Sequence, residues 1–156
     1  MPEVKGYREE SWELVGNGQQ WTVTETGFID SRDVYGIIDL AANSDVRVFG
    51  WLRGDDSGVS IGVDLGDTSS LLIGKDGWIS GFRYGIEFGS SARVTNMGLI
   101  EASQTGVGFM HGGTFVNDDG IVQADHVGVV IGNGGHLENS GFIRGLGLAG
   151  VLVYSG

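Results

Sequence analysis

Cysteine is absent and proline occurs once in 156 residues. Without cysteine there is no disulfide framework and no thiolate metal site, a usage that suits a reducing compartment and a bacterial exported protein equally. Near-absence of proline excludes a collagen-like chain and a proline-rich linker. Positive charge is also scarce: nine Lys and Arg stand against 20 Asp and Glu, giving a net charge of −11. Binding to a phosphate backbone needs clustered cations, so nucleic acid is excluded as an expected partner. No apolar run approaches the roughly 20 residues of a membrane span. The opening MPEVKGYREES has acids where a signal peptide has a basic start and an apolar stretch. An exported protein containing this chain is therefore expected to have had its signal removed, or to hold it elsewhere in a longer parent.

What is abundant is glycine, 30 residues, beside a hydrophobic content of 40% that supplies one real core. The glycines recur in phase. From Ser91 onward three near-copies follow one another, SARVTNMGLIEASQTGVGFMHG, GTFVNDDGIVQADHVGVVIGN and GGHLENSGFIRGLGLAGVLVYSG. The unit is too short for two helices and a turn, and its Val- and Ile-rich runs alternate with period two, which reads as strand. Short strands recurring without helices between them stack as successive coils, each paired with its equivalents about 4.8 Å above and below.

Counting from the first Gly of each unit (Gly27, Gly50, Gly77, Gly98, Gly120, Gly141) gives four apolar columns expected to face inward. They are Val23, Val46, Ile73, Val94, Val116 and Leu137; Ile29, Leu52, Ile79, Ile100, Val122 and Ile143; Ile38, Val63, Ile86, Val107, Val129 and Val151; and Leu40, Leu65, Phe88, Phe109, Ile131 and Val153. The fold expected is all-β, a right-handed parallel β-helix of about six coils over residues 20–156, with residues 1–19 as an N-terminal cap over the open first coil. An insertion between Leu52 and Gly62 makes residues 53–57 a loop, and the last coil ends at Tyr154-Ser155-Gly156 as an uncapped, adhesive edge.

Three constellations stand out. Two residues before the anchor Gly are Asn96, Asp118 and Asn139, with Glu25 and Lys75 earlier, positions suited to side-chain stacking at turns. Between the inward residues of the third strand lie Asp39, Asp64 and Glu87, an outward carboxylate ladder. Its plain reading is solvated surface. The sharper ones are a Ca²⁺ site on Asp39, Asp64 and Glu87, or a glycosidase-like pair of Asp64 and Glu87. Directly after the anchor Gly stand Phe28, Trp51, Trp78, Leu99, Ile121 and Phe142. This column either turns in at a bend or forms an outward stripe, serving self-association or, at Trp51 and Trp78, a sugar platform.

Arg53-Gly54-Asp55 is a short motif that recurs by chance, His111, His126 and His136 fall at unrelated phases, and no nucleophile-elbow, P-loop or dinucleotide fingerprint is present.

The units VTNMGLIEAS, FVNDDGIVQA and HLENSGFIRG, each followed by a Gly-Val strand, resemble the Asn-x-Gly-x-Ile-x-Gly repeats of bacterial autotransporter passengers and pectin-lyase-like β-helix proteins. The resemblance implies export to the cell surface or medium and a role in adhesion, or in polysaccharide binding or cleavage. It departs from the pectinolytic enzymes in lacking their paired-aspartate signatures. The leading expectation is a non-catalytic β-helix segment acting as a rigid stalk or adhesive scaffold, with no cofactor. The alternatives are a carbohydrate-binding or polysaccharide-cleaving β-helix using Asp39, Asp64, Glu87, Trp51 and Trp78, and a module that self-associates through the apolar stripe or the open C-terminal coil.

Overall fold

The structure, a computed structural model, describes residues 1–55 and 58–154. Within them the chain winds as an all-strand parallel β-solenoid of about seven turns, with no helix among the described residues. Each turn contributes three short strands, so the wall has three faces. The first face is a seven-stranded sheet from Glu3–Val4 to His136–Asn139. The second runs from Tyr7–Arg8 to Phe142–Gly145 and the third from Trp12–Leu14 to Ala149–Val153. In the fourth and fifth turns the second and third faces join without a break, as Trp78–Phe88 and Leu99–His111. Residues 1–19 hold the strands of a first, abbreviated turn, paired in register with the next.

Vertical pairing is the rule the repeat foretold, and one column stands as read. Ile29, Leu52, Ile79, Ile100, Val122 and Ile143 stack directly on one another through the second face. The other three columns shift by one or two residues in places. On the first face Val94 pairs with Phe115 and then Leu137, while Val116 pairs with Thr95 and Glu138 and points outward. Val23 and Ile73 belong to the neighbouring inward file with Val48, not to the file of Trp21, Val46 and Leu71. The cause is turn length: the links between strand end and anchor Gly span residues 24–26, 49, 74–76, 97, 118–119 and 140. Ladder hydrogen bonds hold the strands in register and the turns absorb the difference. Asp119 takes a left-handed φ of 54° where the fifth link is one residue longer than its neighbours.

On the third face a file of glycines sets the register. Gly36, Gly62, Gly85, Gly106, Gly128 and Gly150 lie one above another at the corner where the second face bends into the third. A Cβ on Gly62 would sit 2.5 Å from the Gly85 carbonyl oxygen and 2.5 Å from Ile79 Cγ2. Only hydrogen fits there, so Gly36 must align with Gly62 whatever follows it. Ile37 then faces inward over Trp12 and under Val63, Ile38 faces out, and Asp39 turns in between Leu14 and Leu65. Leu40, expected inside, is 61% exposed.

The two ends differ. Val4, Trp12 and Leu14 of the first turn are buried, Trp12 packing edge-on against Trp21 at 5.6 Å. In the last described turn Val151 and Val153, members of inward files, are 40% and 64% exposed. Of the expected loop at 53–57, Arg53 is strand and Asp56 and Ser57 lie outside the described residues, as do Ser155 and Gly156.

Candidate functional site

Two outward features of this wall bear chemistry. The first is the aromatic and aliphatic file of the second face. Period-two alternation from the inward Ile29 file forces its neighbours out. Tyr7, Phe28, Trp51, Trp78, Leu99, Ile121 and Phe142 accordingly form one outward stripe, and no bend turns them in. Trp51 and Phe142 are about half exposed. The rings meet edge to face, Phe28 to Trp51 at 6.0 Å and Trp51 to Trp78 at 5.2 Å, the arrangement aromatic quadrupoles prefer.

A polar file runs beside the stripe and fixes it. Arg53 donates two hydrogen bonds to Asp30, at 3.1 and 2.7 Å, and lays its guanidinium 5.3 Å above the Phe28 ring. That hydrogen-bonded cation holds the Asp30 carboxyl below the usual carboxylate range. Trp78 donates its indole N–H to Glu101 at 2.9 Å. Arg53 of the Arg-Gly-Asp tripeptide is thus an internal strut of this face.

The second feature is a cleft of about 580 Å³ on the third face, whose lining includes Asp64, Tyr84, Glu87, Gly108, Val130 and Tyr154. Asp64 and Glu87 stand directly over one another on adjacent strands. Burial, and then the neighbouring Asp39 charge, push the Asp64 carboxyl above its ordinary pKa. Burial, and then Asp64, do the same to Glu87.

The expected ladder is corrected at its first rung. Asp39 faces inward because the glycine corner fixes its register, and Ile38 takes the outward place beneath Asp64. Its Oδ1 accepts the Ala41 N–H at 3.1 Å and the Ser44 hydroxyl at 2.9 Å, so the side chain holds the turn together. Its Oδ2 is buried without a hydrogen-bond partner among the described residues. No group of three His, Asp or Glu side chains that would hold a metal occurs among the described residues. Trp51 and Trp78 stand together in the stripe, on a different face from the Asp64–Glu87 pair.

The raised carboxyls fix a sign for pH dependence. Such a group stabilises the fold below its unfolded pKa, and that contribution is lost as pH rises through the folded value. Glu87→Gln removes one of two like charges on paired strands. It is expected to raise the melting temperature at pH 7 by about 1–3 °C, from a cross-strand term of about 0.5–1 kcal/mol. The gain should fall away as pH drops below the ordinary values of 4.5 and 3.8 and vanish by about pH 3 in scanning calorimetry, where both carboxyls are protonated in either state.

Counting back from glycine placed Asn96 and Asn139 in a stack at the turns but named the wrong middle member of this asparagine ladder. Asn96, Asn117 and Asn139 pair strand to strand, with Asn117, not Asp118, in the middle. Asn96 donates to Asn117 and Asn117 to Asn139, each at 2.8 Å, and Asn96 Oδ1 accepts the Gly98 N–H at 3.1 Å. Aligning the three Asn-terminated strands on Asn, instead of on Gly, would have put Asn117 in the middle. The ladder is structural: Asn96 and Asn117 are fully buried. No protein-family model, curated protein or solved structure significantly matches this chain.

Proposed function

We propose that the chain is a rigid, non-catalytic β-solenoid segment of an exported or surface-displayed bacterial protein, and that the outward stripe of the second face is its adhesive surface. One observation supports this above the rest: every turn, from Tyr7 to Phe142, adds one large apolar side chain to the same outward line. Solitary exposed apolar residues are ordinary, whereas a continuous line of them marks a contact surface. Arg53 and Glu101 hold their aromatic partners in place, so the rings lose little side-chain entropy on contact. Export rests on the resemblance of the repeat to autotransporter passengers.

The test is retention on insoluble cellulose and chitin, compared with the double variant Trp51→Lys, Ile121→Lys. The expected result is retention reduced about tenfold or more with the melting temperature within a few degrees of the parent, since the substitutions desolvate no core position. Equal retention of parent and variant would remove the stripe from the account. Sedimentation across concentrations covers self-association through the stripe or the last turn: association that the double variant abolishes makes the stripe's occupant a second copy.

A second reading, polysaccharide cleavage by Asp64 and Glu87, draws on their raised pKa values and their place in a cleft. Against it, a retaining pair flanks the scissile bond from two sides, and these two carboxyls rise from one wall. Incubation with polygalacturonate is expected to release no reducing ends. Release that Glu87→Gln abolishes would reverse that conclusion.

A further inference from the structure

We propose that the third-face cleft binds a small ligand bearing an ammonium group on a hydroxylated ring, an amino sugar with its amine free.

Two features of the cleft break local rules for building a strand, and they face one space. Asp64 and Glu87 are like charges on directly paired strands, an arrangement that costs stability, and neither has a hydrogen-bond or ion-pair partner among the described residues. The cleft is lined by no lysine or arginine, and its one basic side chain is His111. Next in the outward file is Gly108. Glycine inside a strand weakens it, and the corner glycines from Gly36 to Gly128 are there because nothing larger fits. Gly108 is different: a Cβ on it would meet nothing closer than Thr105 Cγ2 at 4.0 Å. The fold has room for a side chain at 108, and its absence keeps the floor of the cleft open between Glu87 and Val130. Behind the pair, Asp39 is 7% exposed with one carboxyl oxygen unpartnered among the described residues, and its charge reaches Asp64. Local misfits gathered at one spot are where function is expected.

The occupant follows from charge and lining. An ammonium between Asp64 and Glu87 relieves their repulsion and gives both an ionic hydrogen-bond donor. A hard divalent ion asks for six or more oxygens, and no group of three carboxylate or His side chains that would hold one occurs among the described residues. Tyr154 offers a ring face to a cation and a hydroxyl to a sugar, the Tyr84 ring already carries the Arg83 guanidinium 5.8 Å from its centroid, and about 580 Å³ holds a monosaccharide.

The probe is glucosamine, with N-acetylglucosamine as the same ring without the charge, followed through the side-chain carboxyl resonances of Asp64 and Glu87. Glucosamine is expected to shift both saturably at millimolar concentration at pH 6, and N-acetylglucosamine to shift neither. Glu87→Gln and Gly108→Val should each weaken the response about tenfold, the latter with the melting temperature held or raised. Trp51→Ala, on the other face, should leave it unchanged. No saturable shift with glucosamine, an equal response to N-acetylglucosamine, or full affinity in Gly108→Val would each overturn the assignment.

Discussion

Gly62→Ala is expected to cost about 3 kcal/mol and to lower the melting temperature by roughly 6–12 °C, although it adds one methyl group. The methyl would stand 2.5 Å from a backbone oxygen of the next turn and 2.5 Å from the core methyl of Ile79. A flexible side chain can swing aside, but the Gly85 carbonyl belongs to a ladder that repeats above and below it and cannot move alone. Gly108→Ala is the control. There the new methyl meets only ordinary contact at 4.0 Å, so stability should hold or rise by up to about 1 kcal/mol. Thermal unfolding of the two variants side by side separates close approach from glycine content, because propensity alone predicts a gain in both.

Asn117→Val should cost about 2–3 kcal/mol, because it leaves two groups without their ladder partner. Asn96 loses the acceptor at 2.8 Å and Asn139 the donor at 2.8 Å, and Asn117 is itself fully buried. The same file carries Val23, Val48 and Ile73 in the earlier turns, so the position accepts an apolar side chain when its neighbours are apolar too. The triple variant Asn96→Val, Asn117→Val, Asn139→Val is therefore expected to fall far short of the sum of the three single losses. Its remaining cost is the backbone groups the ladder serves: the Gly98 N–H, which loses the Asn96 oxygen, and the Gly120 and Gly141 carbonyls, which lose the amides of Asn117 and Asn139. Urea unfolding of the four variants measures this; strict additivity would mean that each Asn acts through its own turn alone.

The coil, the parallel pairing and the second-face file were legible because a repeat turns likeness along the chain into adjacency in space. Residue-level register was less so, for two physical reasons. Turns of unequal length separate the strands from the anchor glycines, and counting across residues 118–119 put Val116 and Asp118 where Phe115 and Asn117 stand. At Asp39, hydrophobicity argued for Ile38 and Leu40 inside, but the corner glycine outranked it, and the carboxylate went inward to serve a turn. The outward stripe could not be decided from alternation alone, because a bend would satisfy the same pattern. The cleft was invisible for a different reason: it is assembled from several turns, and its most informative residue, Gly108, is informative only once the space around it is known.

Stacking in this particular register is the claim beneath all of these expectations, and a pair of introduced cysteines tests it in a chain that has none of its own. Thr95 and Val116 are outward partners on adjacent strands, about 4.8 Å apart, within disulfide reach. Val94 and Val116 are on opposite faces of the sheet. Mild oxidation of Thr95→Cys, Val116→Cys should consume both thiols within one folded chain, while Val94→Cys, Val116→Cys keeps them free. The reverse pattern would contradict the register, and with it the asparagine ladder and the cleft.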